Sequence, residues 1–418
     1  MKIISVRKAL TLTSKSEKNQ NIKPVQTIID QVRTKGDSAL ISFEKKFNNV
    51  KIGDLLVTKK EILDAYKLVT KEQISAISEA KKRLTKTELA LKNQLKKIRI
   101  VVDGTRIIKS FEPLSIVGCY VPGGLARYPS SAIMSIVPAK LAGVKTIVVV
   151  TPPNKQGKID PLVLVAANLC GADLIFKVGG AHAIAALAIG TKSIPKVDKI
   201  VGPGGSFVTT AKYLVTNMTS IDMLAGPTEL VVLADDSANP NLIALDLISQ
   251  AEHSSDTKCI LITTSQNMAN EVSSKITKLL SVIPRKDLVR SSLQKNSFIA
   301  VGVMSEAIEL ANKIAPEHIQ VMTKNPNKIA QKIKTAGLIL IGKNTPSAAS
   351  DYLLGTNHIL PTNQFGRSRG SLSILDFLKI QTVVESSKPT LKKINKYLQL
   401  LTDSETLPNH YLAVKKRL

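Results

Sequence analysis

Residues 114–151 read LSIVGCYVPGGLARYPSSAIMSIVPAKLAGVKTIVVVT, and their pattern decides the fold class. Two short runs rich in β-branched residues, 114–118 and 146–151, flank a helix-like segment at 130–143. Strands that are apolar throughout are buried on both faces, and joining them through a helix makes them parallel. The alternation continues with runs at 173–178 and 199–202 and helix-like segments at 161–170 and 181–189. A second series follows at 229–234, 258–263, 298–303, 318–323 and 337–342, with helices such as 241–252 and 326–335 between. Two series predict an α/β chain of two Rossmann-like parallel-sheet domains.

Working outward, residues 1–112 carry helical periodicity. From Lys59 to Lys97, positions such as Ile62, Tyr66, Val69, Ile77, Leu84 and Leu91 recur at three- and four-residue steps among charges, predicting N-terminal amphipathic helices. After Phe377 the pattern returns to helices, in a tail too small for a core of its own, so the tail must dock elsewhere. The expected division is 1–119 with 230–376 as one domain, 120–229 as the second, and 377–418 as the helical tail. No internal repeat or low-complexity tract is found.

Composition narrows the function. The chain has 418 residues, 44% hydrophobic, too apolar for a mostly disordered protein. Its net charge of +26 would suit a nucleic-acid binder, yet the lysines are spread along the chain and no aromatic residues interleave with them. A Lys-rich solvated surface accounts for the charge. Cys119, Cys170 and Cys259 are far apart in apolar runs, which excludes a disulfide framework and points to a reducing, cytoplasmic setting. The N-terminus lacks a signal-peptide core, and no run approaches the ~18–20 apolar residues of a membrane span. Only five histidines are present, so any imidazole chemistry must use His182, His253, His318, His358 or His410.

Glycine-rich turns follow strands at 118–124, 179–182 and 202–206. They stand where open α/β sheets bind ligands, although none has the GxGxxG spacing. Gln250 and His253 lie at i and i+3 near the end of a helix, so they can converge on one ligand. Asp351, His358 and His410 are possible further ligands, and one Gln, two His and one Asp would suit zinc. Glu317-His318 follows Pro316 at the entrance of a strand, where a carboxylate and an imidazole can divide acid/base work.

Taken in order, YVPGG, GGAHAIAALAIGT, PKVDKIVGPG, DMLAGPTE, QAEH, APEH, DYLLGTNHILPT and ETLPNHYLAVKKR resemble the histidinol dehydrogenase family, from about residue 20 to the C-terminus. The resemblance implies NAD- and zinc-dependent oxidation of L-histidinol through the aldehyde to L-histidine, the last step of histidine synthesis. It implies one zinc per subunit on Gln250, His253, Asp351 and His410, with Glu317 and His318 as the acid/base pair. The substrate would meet Thr228 and Glu405 together with Gln250, His253, His318, Asp351 and His410. Tyr120, His182 and Gly205 match cofactor contacts. The position of His410 implies a homodimer in which the tail completes the neighbouring site.

This sequence departs from the family's usual residues at four places: His182 for Gln, Gly205 for Asn, Ser347 for Glu and Ser350 for Gly. Two other readings share these residues. One is a relative oxidising a different small alcohol; the other is a non-catalytic basic binding protein on the same scaffold.

Overall fold

The computed structural model describes residues 1–12, 21–123 and 127–418; Gly124, in the first glycine turn, falls outside them. The chain opens with β1 (Lys2–Ser5) and α1 (Val6–Leu12), then α2 (Ile22–Lys35), α3 (Asp37–Asn48), α4 (Lys59–Leu68) and α5 (Lys71–Lys92). A hairpin follows, β2 (Ile98–Val102) and β3 (Thr105–Pro113). Next come β4 (Ile116–Tyr120), α6 (Pro129–Ala142), β5 (Thr146–Thr151), α7 (Pro161–Cys170), β6 (Leu174–Lys177), α8 (Gly180–Ile189), β7 (Lys199–Val201), α9 (Ser206–Leu214) and β8 (Ser220–Ile221). These strands form a five-stranded parallel sheet in the order β6-β5-β4-β7-β8.

The second series comprises β9 (Glu229–Ala234), α10 (Pro240–Ala251), β10 (Lys258–Thr263), α11 (Gln266–Leu279), α12 (Lys286–Lys295), β11 (Phe298–Val301), α13 (Met304–Ile314), β12 (His318–Met322), α14 (Pro326–Ala330) and β13 (Leu338–Ile341). With β1 they form a six-stranded parallel sheet, ordered β1-β11-β10-β9-β12-β13. The short α15 (Ser347–Ser350) precedes a C-terminal arm of β14 (Leu378–Glu385), α16 (Lys388–Ser404) and α17 (Pro408–Lys415). The expected α/β architecture of two parallel sheets is therefore present. All of β9 and β12 is buried, as continuous apolar runs covered on both faces require.

Packing shifts the expected boundaries. The N-terminal helices after α1 do not join the six-stranded sheet: α2 packs on α8 and α9, α4 on α7, and α5 on α6, whereas α1 packs on α13. β4 also belongs to the five-stranded sheet, although residues up to 119 were expected in the other domain. The reason is apolar: Val25, Ile29 and Leu40 share a core with α8, and Ile77 and Leu84 share one with α6 and α7. β1 alone of the N-terminal elements pairs with the six-stranded sheet, along β11.

The helical reading of residues 1–112 misses β1, β2 and β3, and that of the tail misses β14. Asp103 and Gly104 both have positive φ, 47° and 91°, which turns the chain between β2 and β3 as an Asp-Gly hairpin. β14 then pairs antiparallel with β3, so the arm begins as the outer strand of a three-stranded sheet. All of β2 is exposed, as is β14 after Leu378, and no residue of α17 is buried.

Residues 222–228 leave the carboxyl edge of the five-stranded sheet after β8 and enter the amino edge of the other at β9. Seven residues reach at most about 25 Å. The end of β8 and the start of β9 therefore lie within that distance of one another, and several candidate residues collect around the start of β9 and β12.

Candidate active site

His318 is the first residue of β12 and pairs with Leu230 of β9 and Leu338 of β13, so it stands in the middle of the amino edge. Ala315, just before it, takes a left-handed conformation at the end of α13 (φ 48°) and turns the chain into Pro316. Glu317 and His318 are 7% and 2% exposed. Glu317 Oε2 accepts hydrogen bonds from the Thr228 hydroxyl and from the Glu229 amide, at 2.5 and 2.9 Å. Gln250 Nε2 donates to Thr228 Oγ1 at 2.7 Å, extending the chain of contacts to α10. Thr228, Gln250, Glu317 and His318 are thus one connected group.

The His318 ring lies between two carboxylates. Its Nδ1 is 3.7 Å from Glu317 Oε2 and its Nε2 is 3.5 Å from Asp351 Oδ1, yet both nitrogens are buried without a hydrogen-bond partner. A buried unpartnered imidazole is costly unless a ligand completes it. Burial alone would lower the pKa of His318, but Glu317 and Asp351 outweigh it and raise it. Burial pushes Glu317 up to about 7, against the opposing pull of His318 and Thr228. Burial would also raise Asp351, but His318 holds it below the usual carboxylate range. Perturbed groups of this kind, adjacent and poised near neutrality, are what proton-transfer chemistry requires.

His253 stands two residues past the end of α10, and the packing around its ring holds its pKa below the ordinary imidazole value, against the pull of Asp351. His358 Nδ1 is 2.6 Å from the carbonyl oxygen of Asp351, to which it must donate. It fixes the backbone that carries Asp351. Burial lowers its pKa, which favours the neutral ring. Ser347 and Ser350 are buried in α15; the Ser350 hydroxyl donates to the Ser347 carbonyl at 2.6 Å, while the Ser347 hydroxyl has no partner.

Glu405 and His410 are exposed on the arm, and α17 packs chiefly against α16. Among the described residues neither bonds to the group around His318 through its side chain. One chain thus brings together Gln250, His253, Asp351, Thr228, Glu317 and His318, and leaves Glu405 and His410 outside. Among the described residues no three His, Cys, Asp or Glu side chains converge as a metal site. The remaining donors still suit zinc: an imidazole, a carboxylate, and an amide carbonyl on Gln250, whose nitrogen is already engaged by Thr228. That set is one ligand short of tetrahedral.

The three cofactor positions lie at the carboxyl edge of the five-stranded sheet. Tyr120 ends β4, and its hydroxyl accepts from the Gly180 amide at 3.2 Å. Gly205 caps α9 and faces open space, so an added side chain would meet no atom within 4 Å. His182, the other residue matched to a cofactor contact, is 2% exposed, and its Nε2 is 2.9 Å from Glu44 Oε1. A side chain turned inward to a buried carboxylate presents no open face to a ligand. Glu44 itself carries no sequence signal, being one charge on an amphipathic helix.

Two parallel sheets joined by a short crossover, with a buried carboxylate–imidazole pair at the amino edge of the second, define an α/β enzyme with groups suited to proton transfer. A profile of the histidinol dehydrogenase family matches residues 12–418, and the chain belongs to that family of oxidoreductases. It is 42% identical over 405 residues to a histidinol dehydrogenase of Methanocaldococcus jannaschii, covering 97% of this chain and 94% of that one. The crystal structure of histidinol dehydrogenase from Elizabethkingia anophelis superposes with a TM-score of 0.92 at 35% identity, covering 100% of this chain and 98% of that one. A betaine aldehyde dehydrogenase from Staphylococcus aureus shares the fold alone, with a TM-score of 0.50 at 14% identity over 92% of this chain and 87% of that one.

Proposed function

We propose that the chain oxidises L-histidinol through the aldehyde to L-histidine, the last step of histidine biosynthesis, using NAD and one zinc ion per subunit. The observation that carries this reading is His318, buried with both ring nitrogens unpartnered between Glu317 and Asp351. Neutral His318 takes the alcohol proton on one of those nitrogens. The imidazolium so formed is stabilised by carboxylates at 3.7 and 3.5 Å. Glu317, poised at about 7, ionises within the working range and polarises the water that hydrates the aldehyde. Thr228 holds Glu317 in place and, through Gln250, couples it to α10.

The residues that would hold zinc are Gln250, His253 and Asp351, with His410 of the partner subunit as the fourth. Zinc there would supply a Lewis-acid template for the substrate's nitrogen atoms, and NAD would supply the hydride acceptor. The exposure of His410 and Glu405 supports their reaching a second copy of the chain. So does the arm's apolar surface: Ile380, Val384, Tyr397, Leu400 and Leu401 are all exposed. The proposed molecule is therefore a homodimer with shared sites. Three free, buried cysteines are consistent with a cytoplasmic setting, and among the described residues no helix is long and apolar enough to cross a membrane.

The test is turnover by the purified zinc-loaded protein. NADH formation with L-histidinol and NAD, ending in histidine, is expected. NADH formation with another small alcohol but none with histidinol would reverse the substrate assignment, and salt-sensitive nucleic-acid binding without turnover would favour the binding-protein reading.

A further inference from the structure

Both glycine turns behind Tyr120 are pinned by buried carboxylates. At the entrance of α8, Glu44 Oε1 accepts from the Gly179 amide at 2.7 Å and lies 2.9 Å from His182 Nε2, while Asn48 Nδ2 donates to Oε2 at 2.5 Å. Glu44 is fully buried and comes from α3, 135 residues away in sequence. Burial would raise its pKa, but His182, Asn48 and the Gly179 amide hold it below the usual carboxylate range, so it is ionised. After β7, Asp222 Oδ2 accepts from the Gly202 amide at 2.8 Å, and Lys212, ion-paired with Asp222, donates to the Gly202 carbonyl at 2.9 Å.

Tyr120 is wedged between the two turns. Gly202 has φ 114°, and a Cβ there would stand 2.1 Å from the Tyr120 carbonyl oxygen. The Gly180 amide bonds the Tyr120 hydroxyl. A helix N-terminus attracts anions through its free amides. At α8 that role is already filled from inside the protein, by the carboxylate of Glu44.

We propose that Glu44 is a positioning residue for the dinucleotide cofactor: an internal carboxylate that fixes the Gly179–Gly180 turn and, through it, the Tyr120 hydroxyl. The inference rests on the reading of Tyr120 as a cofactor contact. It separates cofactor binding from substrate binding, because Glu44 touches none of the group around His318. Its loss moves NAD affinity and leaves histidinol affinity where it was.

The test is isothermal titration of the zinc-loaded protein with NAD and, separately, with histidinol, folding being verified by circular dichroism. Glu44→Ala is expected to weaken NAD by about tenfold and histidinol by less than about twofold. Glu44→Gln still accepts from the Gly179 amide and is expected to recover most of the loss, leaving about threefold. Should Glu44→Ala fail to fold, Glu44→Gln and Tyr120→Phe carry the test, because a shared turn makes their effects on NAD affinity non-additive. Wild-type NAD affinity in both Glu44 variants, equal losses for NAD and histidinol, or strict additivity with Tyr120→Phe would overturn the inference. No NAD binding by the unaltered chain would overturn the cofactor reading itself, and this inference with it.

Discussion

At the scale of single residues, the proposed mechanism divides the proton work between His318 and Glu317, and each makes its own prediction. His318→Asn keeps the size of the side chain and removes the base; kcat for histidinol is expected to fall about 10²- to 10⁴-fold with zinc content by atomic absorption unchanged. Near-full activity would contradict the role. Glu317 is raised to about 7 by burial, so its carboxyl stays protonated until neutrality and acts as a base only above it. kcat/KM is therefore expected to rise as pH passes through about 7, and Glu317→Gln to lose that limb; an unchanged limb would assign it elsewhere. Both residues were legible in the sequence because carboxylate and imidazole sit side by side after a proline. Glu44 was not, because its partner lies 138 residues away and nothing local marks a helix charge as buried. The inward turn of His182 was hidden for the same reason.

At the scale of elements, α10 carries the candidate ligand Gln250, leads two residues on to His253, and also holds the half-buried Asp246. Burial pushes Asp246 up to about 6 from its ordinary 3.8. The folded state thus binds this proton more tightly than the unfolded chain. The associated stability is fully present below about pH 4 and is lost as pH rises through about 6. Between pH 4 and 7.5, unfolding free energy from urea titration is expected to fall by up to about 3 kcal/mol more in the wild type than in Asp246→Asn. Equal changes in the two proteins would contradict it. The parallel strands were readable as elements because each is a local apolar run. β14 was not: its LKIQTVVE is neither a continuous apolar run nor a regular alternation, and its pairing partner β3 lies about 270 residues upstream. For β2 and β3 a local signal did exist, in Asp103-Gly104 between two alternating runs.

At the scale of the whole molecule, the arm is the feature that one chain leaves unexplained. Its strand pairs with the body, yet its apolar side chains and its two candidate site residues face outward. The sequence already required such a tail to dock, since it cannot enclose a core. What pattern alone could not locate was where the N-terminal helices pack, because two sheets offer the same kind of apolar helix layer. Removing zinc with a chelator is expected to abolish turnover while far-UV circular dichroism stays native, since the cores are built without the metal; unfolding on chelation would contradict this. The central claim, that each site is built from two copies of the chain, is tested most directly by co-expressing His318→Asn and His410→Asn, each inactive as a homodimer. If His410 serves the partner, half of randomly paired dimers are hybrids and one of their two sites is intact, so about one quarter of wild-type activity returns. If His410 serves its own chain, every hybrid site lacks one residue, and no activity returns.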